Sequence, residues 1–428
     1  MTTANLIADR PAALTALRVG TAPEPGGYPM VIWLLLGGNF VVRAAGFAYP
    51  FMAYHVAGRG HGAEAVGLVL AAFGAGWVVG QLVCGWAIDR IGGRSTLVAA
   101  MLAAAVMLAV MAGAHSLAAL AVGAVLAGLV YDAPRPVLGA AIGDLLPDPE
   151  RRAKVDAWRY GGVANLGAAV TGGAGGLLAD RMGIPVLYLI DAAACAVFAL
   201  VALCCLPSDR GTRSAATKTS YRRVFSDRRL VVLLVSSVAT LTAFMALFAA
   251  MPMLMSARGL SAGAYGMTHM ANAVAVVALT PLITSWVSKR VAVRPRPDIL
   301  AAAAVWTTAC TAAAAFAHTT TEFSLAAAAC APGEIAWFVV VASIVHRIAP
   351  AGQRGRYHGI WGTALAVAAV FAPILGAVSL ARGGPVLVAA ATFTAGLIGA
   401  ALCWPLARAL AESTGTAAAF ATDLELTK

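Results

Sequence analysis

The chain has 428 residues, of which 61% are hydrophobic and only 11% charged, with a mean hydropathy of +0.82. Soluble domains carry about 25% charged residues, so this composition excludes a soluble globular protein: too few polar residues exist to cover so large an apolar core. The net charge of +11 belongs to the segments between apolar runs and is no argument for nucleic acid, despite the basic cluster at 222–229.

Apolar runs of bilayer length occupy 30–57, 64–88, 95–114, 117–143, 157–180, 183–206, 230–256, 264–288, 298–317, 323–346, 358–381 and 385–407. Roughly 20 mostly apolar residues cross a bilayer as a helix, which predicts an all-α membrane protein of twelve transmembrane helices. The first run follows a polar stretch with Asp9, Arg10, Arg18 and Glu24. That is not a signal-peptide layout, so residues 1–29 are expected to remain as a cytoplasmic tail. Cys84, Cys195, Cys204, Cys205, Cys310, Cys330 and Cys403 all fall in predicted helices without metal-ligand spacing, and no metal or cofactor is expected. With the N-terminus inside, 24 of the 30 Lys and Arg residues lie on inner segments and only Arg59, Arg181, Arg258 and Arg382 on outer loops. The positive-inside rule then puts both termini in the cytoplasm, with the chain in the cell membrane.

The longest internal connection, "PSDRGTRSAATKTSYRRVFSDRR" at 207–229, divides the helices into predicted bundles at 30–206 and 230–407, with a tail at 408–428. The halves resemble one another. Pro50 and Pro252 sit near the ends of the first and seventh runs, 202 positions apart, while Pro147 and Pro350 follow the fourth and tenth runs, 203 apart. Spacing kept at two anchors predicts two pseudo-symmetric six-helix bundles.

The four lysines, Lys154, Lys218, Lys289 and Lys428, never follow a glycine, so no Walker A loop exists to cradle nucleotide phosphates. HExxH is absent too, and an enzyme is not expected. What remains is a carrier driven by an ion gradient, which requires titratable groups within the membrane. Asp132, Asp191 and Glu334 are the acids deep in apolar runs, and Arg43 and Arg135 the bases. Each costs at least ~2.5–3.5 kcal/mol at the bilayer centre, so such groups face a cavity or a partner. Asp132 and Arg135 share a helix face at i, i+3, and Asp132 and Glu334 stand 202 positions apart, close to the repeat offset. Either these groups line one central cavity, or Arg43, Asp132 and Arg135 form a fixed structural salt bridge.

"GWAIDRIGGR" at 85–94 resembles the loop between helices 2 and 3 of the major facilitator superfamily, with Gly85, Asp89, Arg90, Gly92 and Arg94 at the motif positions and Gly93 in place of a base. "NFVVRAAGFAYPF" at 39–51, "YDAPRP" at 131–136, "WRYGGVANLGAAVTGGAGG" at 158–176 and "RGRYHG" at 354–359 resemble its twelve-helix drug–proton antiporter branch. The Gly-Pro of that branch near the end of helix 5 is replaced by Thr171, Gly172 and Gly173. The resemblance implies the major facilitator fold, a charge lock at Asp89 closing the cytoplasmic side, and proton-coupled export of small amphipathic or hydrophobic compounds by alternating access. Proton-linked import of a nutrient or metabolite is the alternative, and a non-transporting receptor a further one. Glu334, with no base near it in its own segment, is the expected proton carrier, with Asp132 and Asp191 behind it and Arg43 and Arg135 as the charge switch. Trp77, Trp337, Trp361, Asn165, His269 and Asn272 are candidate substrate contacts, or else interhelical hydrogen-bonding and packing groups. The expected partners are a small-molecule substrate, protons and the lipid bilayer, with the protein a monomer.

Overall fold

The computed structural model describes residues 27–146, 148, 151–152, 155, 158–206, 226–350 and 354–411. Most of the two tails and of the 207–229 linker therefore lie outside the described residues. The described chain is helical: α1 (Met30–Ala57), α2 (Ala63–Ile91), α3 (Gly93–Gly113), α4 (Leu117–Tyr131 continued by Pro134–Leu145), α5 (Trp158–Val163, a π-helical stretch, continued by Ala164–Met182), α6 (Ile184–Cys205), α7 (Arg228–Ala257), α8 (Ala262–Val293), α9 (Pro297–Phe316), α10 (Thr320–Ile348), α11 (354–383) and α12 (385–411). Ten spans among the described residues are long and apolar enough to cross a bilayer. The count reaches twelve because α11 and α12 run together across Gly384, whose φ of +60° turns the chain, and because glycine-rich α5 is less apolar than the others.

Three helices are broken in mid-course, at Ala45–Phe47 in α1, at Asp132–Ala133 in α4 and at Met245–Ala249 in α7. Each break falls at or beside the residue four positions before a proline, namely Pro50, Pro136 and Pro252. A proline ring removes one N–H and presses on that carbonyl. Freed backbone groups are expensive in a bilayer unless other helices satisfy them, and at the α1 and α7 breaks side chains of other helices do. The Thr171 hydroxyl on α5 donates to the carbonyls of Arg43 and Ala44, Asp191 on α6 accepts the Ala48 N–H at 3.2 Å, and Tyr188 donates to the Ala48 carbonyl. In α7, Tyr265 donates to the Leu247 carbonyl.

The internal repeat extends to the connections. Gly183 and Gly384 take positive φ at the α5–α6 and α11–α12 turns, as do Gly60 and Gly259 after α1 and α7. Arg59 donates to the Ala112 carbonyl at the end of α3, and Arg258 to the Ala315 carbonyl at the end of α9. Two bundles result, α1–α6 and α7–α12, which meet where α5 packs on α8 and α2 on α11.

At the start of α7, Asp227 caps the helix by accepting the Arg229 N–H, pairs with the Arg229 guanidinium and accepts the Tyr357 hydroxyl at 3.0 Å. Burial pushes this carboxyl up, but the Arg229 and Tyr357 hydrogen bonds outweigh it and hold the pKa below the ordinary carboxylate range. A depressed folded-state pKa contributes stability that is present above the unfolded value of about 3.9 and is lost as pH falls through the folded value. Thermal unfolding in detergent should therefore show an acid-side loss of stability that Asp227→Asn diminishes; identical acid limbs in both proteins would remove this role.

Candidate functional site: a charged cavity between the bundles

Asp132 sits at the break in α4, only 1% exposed, and gathers donors from three helices. Arg43 Nη2 on α1 lies 2.8 Å from one carboxylate oxygen, and Arg135 Nε 3.0 Å from the other. Trp77 Nε1 and Gln81 Nε2 on α2 donate to that second oxygen at 3.3 and 3.1 Å. One carboxylate thus neutralises one of two guanidiniums and leaves a formal charge of +1 on this wall. Both guanidiniums remain about a quarter to a third exposed, at 27% and 30%, so they reach an open space, while Asp132 does not. Arg43 also lies over the Tyr131 ring, 5.6 Å from its centroid. Arg159, among the cytoplasmic bases in sequence, is buried at the head of α5 and donates to the Arg135 carbonyl. Sequence reasoning missed it, together with Trp77 and Gln81 as partners of Asp132. Their period on α2 and the apolar run around Arg159 were the available signals.

The second acid of the candidate site is on α10, in the second bundle. Glu334 is half-buried there, and its hydrogen-bond partner is Asn272 on α8, at 3.5 Å; among the described residues it makes no ion pair. From α4 to α10 runs an arc of rings with neighbouring centroids 5.1–6.4 Å apart: Tyr131, Tyr49, Phe248, Phe244, Phe338 and Trp337. Trp361 closes on Phe338 and Trp337 and donates to Ser237. Trp337 Nε1 is buried without a partner among the described residues. Asn165 is half-buried on α5. Asp191 on α6 is engaged with the α1 break and Cys195.

The cavity is shut at the end away from the termini. There Asp180 on α5 accepts the Ser261 hydroxyl and the Gly263 N–H, both at 2.9 Å, and Tyr54 donates to the Leu260 carbonyl. Gly172 and Gly176 of α5 lie against Gly263 and Gly266 of α8 with no room for a side chain, and Gly67 and Gly74 of α2 lie likewise against α11. At the other end, a Cβ at Gly85 of α2 or at Gly359 or Gly362 of α11 would meet nothing within 4 Å. Asp180→Ala removes two hydrogen bonds between the bundles, about 1–2 kcal/mol for a partly exposed latch, a five- to thirtyfold change in the balance of the two states. Labelling of a cysteine engineered beside Tyr54 should rise accordingly, and an unchanged rate would show that the latch carries no weight.

In the 85–94 motif, Gly92 takes a φ of +91° and joins α2 to α3 by a single residue, which is why glycine stands there. Arg94 donates to the Ala202 and Leu203 carbonyls of α6, and Arg90 lies over the Trp86 ring. The side chain of Asp89, the expected lock, lies outside the described residues.

The family model of the Major Facilitator Superfamily matches residues 34–295. No curated protein matches the sequence. Among solved structures, the nucleoside transporter NupG is similar at 12% identity and a TM-score of 0.69, covering 88% of this chain and 99% of that one. A POT family transporter in complex with 5-aminolevulinic acid reaches 13% identity and 0.72, with 92% and 99% covered. The peptide transporter POT in complex with sulfate reaches 15% and 0.69, with 94% and 97% covered. At these identities the likeness establishes the fold. It does not single out the drug–proton antiporters.

Proposed function

The chain belongs to the major facilitator superfamily and is a secondary transporter, not an enzyme, and we propose that it imports a small charged metabolite coupled to protons. The observations that carry this reading are the Glu334 carboxyl in the second bundle, with no ion pair among the described residues, and the excess guanidinium beside Asp132 in the first. A cargo with an anionic group meets Arg43 and Arg135, and its apolar or aromatic part lies on Tyr131, Phe338 and Trp361. A carboxyl without a cationic partner favours its neutral form when closed off from water and its charged form when solvated or paired. Alternation between those settings links a proton to each passage of cargo. The missing Gly-Pro in α5 favours import, and nucleoside and peptide transporters among the similar structures suit a small polar cargo. Export of amphipathic compounds is the second reading, favoured by "YDAPRP" and "RGRYHG". With the basic loops cytoplasmic, the closed end is the outer one and this conformation faces inward. The protein then works as a monomer in the cell membrane with both termini inside.

The test is transport in proteoliposomes under an imposed pH gradient, with nucleosides, dipeptides and lipophilic cations as probes. Inward accumulation of a probe with protons supports import; movement against the proton flow supports export. Glu334→Gln is expected to reduce gradient-driven accumulation more than tenfold while preserving exchange at zero gradient. Full accumulation by Glu334→Gln would move the coupling to Asp132 or Asp191.

A further inference from the structure

We propose that the ends of α2 and α8 carry two matched binding sites for an anionic phospholipid, each built from a leucine, a tryptophan and an arginine one helical turn apart. Leu82, Trp86 and Arg90 stand on α2, and Leu282, Trp286 and Arg290 on α8, 200 positions later and close to the repeat offset. Residues four apart share a helix face, so each set forms one straight ridge. The two leucines and two tryptophans are 50–70% exposed. Both ridges end on the side of the molecule where the helical part of the chain begins and ends, the cytoplasmic side in the orientation proposed above. The inward faces of the same helices are already engaged: Trp77 and Gln81 of α2 donate to Asp132, and Asn272 of α8 to Glu334. The ridges therefore face the bilayer, and nothing in the cavity accounts for the same three residues recurring in both bundles.

The Arg90 guanidinium lies over the Trp86 ring, 5.6 Å from its centroid, and that of Arg290 over the Trp286 ring at 3.8 Å. An indole face holds a guanidinium in place and leaves its edge N–H groups free, and that planar fork matches the oxygens of a phosphate. Arg290 donates Nη1 to the Trp286 carbonyl at 3.1 Å, which leaves Nε and Nη2. Among the described residues neither Arg90 nor Arg290 makes an ion pair. Leucine to arginine spans about 12 Å along the helix, enough to run from hydrocarbon to headgroup. An acyl chain lies on the leucine, the ester region against the indole, which favours this boundary, and the phosphate on the guanidinium. On α8 the apolar strip is longer, because Val274 and Ala278 continue the row and are exposed. Charge selects the lipid. Lys289 and Arg294 are exposed beside Arg290, and a zwitterionic headgroup brings a further cation to them, whereas an anionic one does not. Trp404 and Arg408 on α12 repeat the ring contact at 3.7 Å, but half-buried Ala400 stands in the leucine's place and offers no strip for an acyl chain. Since α2 packs on α11 and α8 on α5, the two lipids sit on the backs of the helices through which the bundles meet.

The test needs neither cargo nor a direction of transport. The purified full chain is washed in detergent and mixed with phosphatidylglycerol or phosphatidylcholine of identical acyl chains, and bound lipids are counted by native mass spectrometry. Two phosphatidylglycerols are expected under conditions that leave no phosphatidylcholine. Arg90→Gln and Arg290→Gln should each lose one of them, with affinity at the altered site down about fivefold. Arg290→Lys, which keeps the charge but not the planar fork, should also weaken binding, while Arg408→Gln should retain both lipids. Arg290→Gln decides the matter alone if Arg90→Gln does not fold. Equal retention of the two lipids, or undiminished retention by Arg290→Gln, overturns the proposal. So does an equal loss in Arg408→Gln, which would show that net charge on this side acts without a built site.

Discussion

Asp132→Asn is expected to lower folded yield severely, because the change leaves two guanidiniums in the membrane without a counter-charge. Removing one partner of a buried pair costs about 3–5 kcal/mol, and the partial exposure of both arginines reduces this to about 2–3 kcal/mol. Asparagine keeps an acceptor for Trp77 or Gln81 but not the charge that holds Arg43 from α1 and Arg135 from α4. The double variant Arg43→Gln with Asp132→Asn has one buried charge fewer and should recover part of the loss. Fluorescence-detected size exclusion and thermal unfolding in detergent measure both. Wild-type yield and melting of Asp132→Asn would mean that the cluster is dispensable for folding and serves transport alone.

Gly266→Leu should have the largest effect on transport. A Cβ at 266 would lie 2.5 Å from the Gly172 carbonyl oxygen and 2.5 Å from Gly176 Cα. These are backbone atoms that cannot rotate away, so α5 and α8 must separate. The separation is required only in the conformation closed at this end. The other state tolerates the side chain, and the variant is expected to be trapped there, with flux down more than tenfold and cysteines near Tyr54 fully labelled. Gly362→Ala on α11, where a Cβ meets nothing within 4 Å, is the matched control. Normal flux in Gly266→Leu would contradict the closed contact.

The twelve helices and the two halves were legible because apolar length and repeat spacing depend on local sequence alone. The salt bridge of Asp132 with Arg135 was legible for the same reason, one turn on one helix. Less visible was everything contributed by another helix. Pro50, Pro136 and Pro252 mark where α1, α4 and α7 break, but a proline within an apolar run does not say whether the helix breaks there. Pro332, for instance, stays inside an unbroken α10. What decides is whether Thr171, Asp191 or Tyr265 stands ready to take the freed backbone groups, and their partners are distant in sequence. Asp191 illustrates the difficulty: its place in an apolar run was legible, but its contact with the Ala48 N–H, 143 positions away, was not.

The 89 residues between Arg43 and Asp132 also bear on how the protein is made. At about 5–20 residues per second, α1 leaves the ribosome roughly 4–18 s before α4 can supply the carboxylate. During that interval Arg43 is an uncompensated cation with no place in hydrocarbon. Early insertion of α1 must then keep that segment at the translocon or near the headgroups until its partner arrives. Charge compensation of the first helix therefore waits for synthesis of the fourth.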